Sequence, residues 1–143
     1  MKKIMIINGP NMNMLGAREK EKYGAATLAE LNEKIICEAE KLGASCEFFQ
    51  SNVEGEIVSA IQNAADFDGI ILNAAAYTHY SIAIRDAVSA ISAPVVEVHM
   101  TNVKAREDFR HESIIAQVCI GSIAGFGDMS YLLALRALVL SKW

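Results

Sequence analysis

The chain has little of several features that would assign it to a class at once. It carries three cysteines, Cys37, Cys46 and Cys119, with no CxxC pair. An odd, scattered set argues against a disulfide framework, and each is expected to pack within its apolar segment. No apolar run approaches the ~18 residues that would span a bilayer. The first residues, Met1-Lys2-Lys3-Ile4-Met5-Ile6-Ile7, begin with a charge pair as a signal peptide does. The apolar stretch then stops at Asn8, short of the ~7 residues such a signal needs. A first strand in a cytoplasmic protein, away from membranes, is the expectation. No sign of charge dominates: the net charge is −4 with acids and bases interspersed, so no basic stripe offers a nucleic-acid surface. The phosphate-loop patterns GxGxxG and GxxxxGK[ST] are absent, and Pro10 after Gly9 removes an N–H that such a loop would use. No serine sits in a nucleophile-elbow pattern. His79 and His99 fall on different loops, and no histidine, cysteine or aspartate cluster has metal-ligand spacing.

What the chain does have is enough to build a core. Its 143 residues fit one domain, residues 1–143, and 52% are apolar, slightly above the usual share. The excess points to a second buried surface and hence to an oligomer. Short apolar runs alternate with helical patterns. Strands are predicted at residues 3–7, 45–50, 69–72, 94–98 and 118–124. Helices are predicted between and after them, at 28–42, 54–65, 81–91 and 127–140. Thr27-Leu28-Ala29-Glu30 reads as a capping box, with Gly43 as the helix stop. Leu28, Leu31, Ile35, Ala39 and Leu42 share one face of that helix, Ile57, Val58 and Ile61 face inward on the next, and Leu132, Leu133, Leu135 and Leu138 are expected to face the core on the last. This alternation predicts an α/β fold: a five-stranded parallel sheet with helices on both faces, flavodoxin-like in topology. Residues 8–26 make one connection too long for a passive loop, and loops beyond ~12–15 residues are usually functional.

Polar residues follow the strands. Asn8-Gly9-Pro10-Asn11 ends the first, Gln50-Ser51-Asn52 the second, Asn73 the third, with His79 further on. The fourth carries Glu97 and ends in His99-Met100-Thr101-Asn102. In an open parallel sheet these ends share the edge where ligands bind. Amide, guanidinium and imidazole groups without a nucleophile or metal set suit acid–base chemistry on a small, polyhydroxylated, anionic substrate.

Several blocks occur in one order along the chain: Ile7-Asn8-Gly9-Pro10-Asn11, Gly16-Ala17-Arg18-Glu19 through Tyr23-Gly24, Phe49-Gln50-Ser51-Asn52, Ala76-Tyr77-Thr78-His79, Ile84-Arg85-Asp86, Glu97-Val98-His99 and Ala105-Arg106-Glu107-Asp108-Phe109-Arg110. Together they resemble the type II 3-dehydroquinate dehydratases over nearly the whole length. The resemblance implies dehydration of 3-dehydroquinate to 3-dehydroshikimate, in the shikimate or quinate pathway. It implies no cofactor, no metal, no covalent intermediate, and a homododecamer of four trimers. It implies Tyr23 as base, His99 as acid to the leaving hydroxyl, and Asn11 as holder of a water near the enolate oxygen. It implies substrate contacts from Asn73 and Thr101 at the carboxylate, from His79 and Arg110 at the ring hydroxyls, and from Met100. Asp86 resembles a residue that reaches a neighbouring subunit's site.

A free tyrosine titrates near ~10, and bringing it ~3 units lower takes ~4 kcal/mol of preferential phenolate stabilisation. Arg18, five residues before Tyr23 on the same loop, is the expected source. Glu97, two residues before His99 on a strand, faces the same side and can orient the imidazole. Gly16 and Gly24 flank Arg18 and Tyr23 as hinges of a mobile lid. Arg106 is expected to support the site and His111 to be structural. Ala74, Lys104, Ser130, Met12 and Met14 depart from the usual family pattern without removing a catalytic group. The rival is a flavodoxin-like binding module without catalysis. A phospho-receiver needs acidic strand ends, and here strands one and three end in asparagine. A lysine Schiff base is disfavoured because no lysine ends an apolar strand.

Overall fold

The computed structural model describes residues 1–143. Five strands, β1 Lys3–Asn8, β2 Ser45–Gln50, β3 Gly69–Asn73, β4 Val95–His99 and β5 Gly121–Ala124, form one parallel sheet in the order β2-β1-β3-β4-β5. This is the flavodoxin-like order, with its switch point between β1 and β3. The helices are α1 Lys20–Tyr23, α2 Leu28–Lys41, α3 Glu54–Asn63, α4 Ile82–Ala90 and α5 Asp128–Leu140. Period-two alternation divides the strand side chains between two apolar layers. Ile4, Ile6, Ile71, Val96 and Val98 meet Leu31 and Ile35 of α2 and Tyr131 and Leu135 of α5. Ile7, Ile70, Leu72 and Val95 meet Ile57 and Ile61 of α3 and Ile84 and Val88 of α4. Every residue of β3 and β4 is buried, as a parallel sheet covered on both faces requires.

Local signals place the helix ends. The Thr27 hydroxyl accepts from the Glu30 N–H at 3.2 Å and donates to the Glu30 carboxylate at 3.2 Å, so the box closes side chain to side chain. Gly43 ends α2 at φ 71°. Ser81 caps α4 by accepting from the Ile84 N–H at 3.1 Å. Gly9 is required by a close approach: a Cβ there would stand 2.8 Å from the Ala74 carbonyl oxygen. The ends of β1 and β3 are thereby pressed together.

Three expectations change. The last strand begins at Gly121 rather than residue 118, because β4 begins at Val95 and its first register partner on β5 is Gly121, opposite Val96; Ala116–Val118 forms a 3-10 turn instead. On α5 the buried stripe is Tyr131, Ala134, Leu135 and Leu138, so Leu133 lies off it and is exposed. Cys37 is exposed, because Leu31, Ile35 and Ala39 take the core face of α2. β2 and β5, as sheet edges, are only partly covered. The layer at the sheet centre is otherwise apolar, and each fully buried isoleucine contributes about 1.5–3 kcal/mol. Against that background the buried polar residues Asn8, Asn73, Glu97 and His99 all fall at or near the C-terminal ends of strands. Buried polar groups must be hydrogen-bonded, and their partners define the site.

Candidate active site

A cavity of about 130 Å³ opens at the C-terminal ends of β1, β3 and β4. Of the residues singled out from the sequence, Asn11, Arg18, Tyr23, Asn73, His79, His99, Met100, Thr101 and Arg110 line it, and Arg106 joins them. Three guanidiniums and two imidazoles around one small space favour an anionic ligand. Two lining residues hold left-handed backbone without being glycine: Asn11 at φ 69° and Ala75 at φ 52°. Asn tolerates this conformation; Ala does so at a cost of about 1–2 kcal/mol. Part of the strain is met by the Asn73 Oδ1, which accepts from the Ala75 N–H at 3.1 Å.

His99 forms one wall. Its Nε2 is bonded to the Glu97 carboxylate, which the alternation of β4 puts on the same face. The other carboxylate oxygen of Glu97 accepts from the Ser113 hydroxyl at 2.8 Å. Burial alone would push the Glu97 carboxyl up. The His99 hydrogen bond and charge, with the Ser113 and Ser122 hydroxyls, hold it below the usual carboxylate range. Glu97 is therefore an anion that fixes one ring nitrogen of His99 and leaves the other free. His79 stacks near His99 with ring centroids 6.5 Å apart, and its Nδ1 is 2.7 Å from the Glu112 carbonyl.

A second polar chain lies on the opposite sheet face. The Asn73 Nδ2 donates to the Tyr131 hydroxyl at 2.8 Å, and that hydroxyl donates to the Asn8 Oδ1 at 2.5 Å. Tyr131 is fully buried, and burial pushes its phenol well above the usual range. Its proton stays on, which sets the direction of the chain. The Asn73 Nδ2 also lies 3.6 Å from the Met12 sulfur. Both ends of the Asn73 amide are thus held by the protein itself.

The long connection after β1 folds over the cavity. Gly16 at φ 87° and Gly24 at φ 81° turn the chain at either end of it, in a conformation glycine adopts without steric cost. Between them α1 carries Tyr23. Arg18 was the expected neighbour of the phenol oxygen. Its guanidinium instead lies over the Tyr23 ring, 5.1 Å from the centroid, and pairs with the Glu19 carboxylate at 3.1 Å. The hydroxyl itself accepts from the Arg106 Nη1 at 2.9 Å. The same nitrogen lies 3.2 Å from the Thr101 hydroxyl, and the buried Arg106 Nε has no hydrogen-bond partner.

Other expected residues are placed differently. The end of β2 braces rather than lines the cavity. Gln50 donates to the Gly9 carbonyl at 3.2 Å, and the Asn52 Oδ1 accepts from the Asn11 N–H at 2.9 Å. Asp86 is exposed on α4 and is not among the residues lining this cavity. Arg110 lines the cavity while pairing with Glu107 at 3.1 Å. His111 donates from Nε2 to the Arg106 carbonyl, 2.9 Å away, which fits its structural reading. Ser130 is buried with its hydroxyl accepting from the Phe126 N–H at 3.0 Å. Sequence reasoning missed the contact of Arg106 with Tyr23 and the bracing by Tyr131. Arg106 had a signal, a basic residue in the polar segment after β4; Tyr131, within an apolar helix, had none.

Residues 2–139 match the family model described as dehydroquinase class II. The 3-dehydroquinate dehydratase of Bacillus mycoides (strain KBAB4) is 55% identical over 140 residues, 97% of this chain and 96% of that one. A crystal structure of the type II dehydroquinase from Butyrivibrio crossotus DSM 2876 superposes with a TM-score of 0.94 at 45% identity, covering 96% of this chain and 97% of that one. The type II dehydroquinase from Propionibacterium acnes gives 0.95 at 40% identity over 99% and 98%.

Proposed function

The chain belongs to the class II dehydroquinase family, and from that premise we propose that it dehydrates 3-dehydroquinate to 3-dehydroshikimate by non-covalent acid–base elimination. The observation that carries the mechanism is one cavity holding both a tyrosine hydroxyl bonded to a guanidinium, Tyr23 to Arg106, and a carboxylate-backed histidine, His99 on Glu97.

Tyr23, as phenolate, takes the proton alpha to the ketone, and the electron pair moves onto the carbonyl oxygen as an enolate. Arg106 donates to the phenolate oxygen and Arg18 adds positive charge over the ring; an adjacent cation favours the ionised form. Asn11 holds a water against the enolate oxygen, and an oriented donor of this kind is worth about 3 kcal/mol of barrier. The enolate then collapses, the bond to the beta hydroxyl breaks, and His99, entering the step with a proton on each ring nitrogen and its Nε2–H held by Glu97, gives the other proton to the departing oxygen to form water. Proton gain at Tyr23 and proton loss at His99 balance. Thr101 meets the substrate carboxylate, and Met100 also contacts the substrate. His79 and Arg110 meet the ring hydroxyls. Asn73 contributes by shaping the loop around Ala75, since its amide is already bonded to Tyr131 and Ala75.

The loop of residues 16–24 acts as a lid whose closure brings Tyr23 to Arg106 and excludes water. Asp86 serves a neighbouring subunit, consistent with its exposed place on α4, in a dodecamer of four trimers. Large apolar side chains exposed on this chain, including Tyr80, Ile82, Phe109 and Phe126, support burial between subunits. Adding 3-dehydroquinate to the purified protein and following ultraviolet absorbance tests the reading. Growth of conjugated-enone absorbance is expected; a flat trace at high enzyme concentration overturns it.

A further inference from the structure

The wall behind His99 holds groups that the proton transfers above do not use. A second cavity, of about 420 Å³, lies there. Glu97 lines this second cavity and not the first, whereas His99 lines both, and Glu97 is 2% exposed. Its only ion-pair partner is His99. Around it stand His79, Lys104, Arg110, His111 and Glu112 on the cavity wall, and Cys119 ahead of β5. None of the lysine or arginine groups pairs with the Glu97 carboxylate. Burial, with the Glu97 charge beside it, pushes the Cys119 thiol up to about 12, so it is neutral and supplies no countercharge. A buried carboxylate whose one ion-pair partner is an imidazole that gives up its proton in the reaction depends on hydrogen-bond donors as well.

Those donors are hydroxyls, and the role of one is fixed by its own partners. The Ala116 N–H donates to the Ser113 oxygen at 3.1 Å. The Ser113 hydrogen is then free to go only to the Glu97 Oε1, 2.8 Å away. Ser122 stands opposite Glu97 in the β4–β5 register and lines the same cavity, and its hydroxyl helps hold the Glu97 carboxyl low. We propose that Ser113, assisted by Ser122, is a positioning residue of the reaction: it clamps the free oxygen of Glu97 so that the other oxygen holds His99 aligned for proton donation. The proposal rests on the reading of His99 as the acid. Without the clamp, Glu97 can turn about its terminal torsion, and its anionic form loses a donor.

The test compares Ser113→Ala, Ser113→Thr, Ser122→Ala and His99→Ala in steady-state assays and in melting temperature across pH. Ser113→Ala is expected to lose about tenfold in kcat, a fraction of a full acid–base contribution, with KM within about twofold of the parent. The acid-side limb of its melting temperature against pH should move up by about half a pH unit, since one donor to the Glu97 carboxylate is gone; the acid-side limb of kcat reports Tyr23, which must ionise, rather than Glu97. Ser113→Thr, which keeps the hydroxyl, should restore most of the turnover and the parent limb. Ser122→Ala, at an exposed edge-strand position, should shift the limb the same way by less. An unmoved limb in Ser113→Ala, whatever its kcat, overturns the clamp, as does failure of threonine to rescue. If Ser113→Ala does not fold, an unmoved limb in Ser122→Ala overturns it. His99→Ala separates the two readings: near-native turnover there removes His99 as acid, whereas its loss beside a normal Ser113→Ala removes only the clamp.

Discussion

The Nη1 of Arg106 lies 2.9 Å from the hydroxyl of Tyr23, across 83 residues of chain. Arg18, five residues from Tyr23, reaches only the ring face, at 5.1 Å from its centroid. Hydrogen bonding acts directly on the oxygen that must ionise, while the charge of Arg18 acts through a greater distance and is partly committed to Glu19.

The two arginines should therefore differ. Arg106→Ala is expected to cut kcat by about 100-fold or more, because a charge-assisted donor to the phenolate is worth roughly 2–3 kcal/mol. Arg18→Ala should cost less in the same assay. Equal losses, or a larger one for Arg18, would show that the guanidinium over the ring counts for at least as much as the one on the oxygen.

Tyr23→Phe removes the proposed base and leaves the ring against Arg18. Turnover is expected to fall by about 1000-fold or more, while substrate still binds. Calorimetric titration of the variant with 3-dehydroquinate checks the second half. Near-native turnover would remove Tyr23 from the mechanism.

Tyr131→Phe keeps the core packing of α5 and deletes the hydroxyl between Asn73 and Asn8. Two buried amide groups then lose a partner, at about 1–3 kcal/mol each in the absence of a replacement water. Urea unfolding should show a loss of about 2 kcal/mol or more. KM should rise as well, because the Asn73 amide also anchors the strained turn at Ala75. Unchanged stability would mean that Asn8 and Asn73 find other partners.

Glu97 should leave a mark on acid stability. Its folded-state carboxyl titrates below the usual range through His99, Ser113 and Ser122, against the opposing effect of burial. A carboxyl lowered on folding contributes stability in full above its unfolded value of about 4.3, and that contribution is lost as pH falls through the folded value. Melting temperatures of the parent and Glu97→Gln should converge as pH drops from ~6 to ~3. A gap that stays constant over that range would show that the carboxylate is not what titrates.

Much of this molecule follows from its sequence by local rules. Short continuous apolar runs separated by capped, period-3.6 segments determine the parallel sheet, and the sheet determines that Asn11, Asn73 and His99 share an edge. The pairing of Glu97 with His99 is local too, since residues two apart on a strand face one side. Tertiary structure alone decided the rest. It put Arg106 on the Tyr23 oxygen, locked the Asn73 amide onto Tyr131, turned the end of β2 into a brace for the Gly9–Asn11 turn, and left Asp86 facing outward. These contacts join segments that meet only after the strands are ordered and the long loop has folded over them. No spacing along the chain encodes which guanidinium reaches a given oxygen, because loop closure and side-chain reach are set by packing rather than by periodicity.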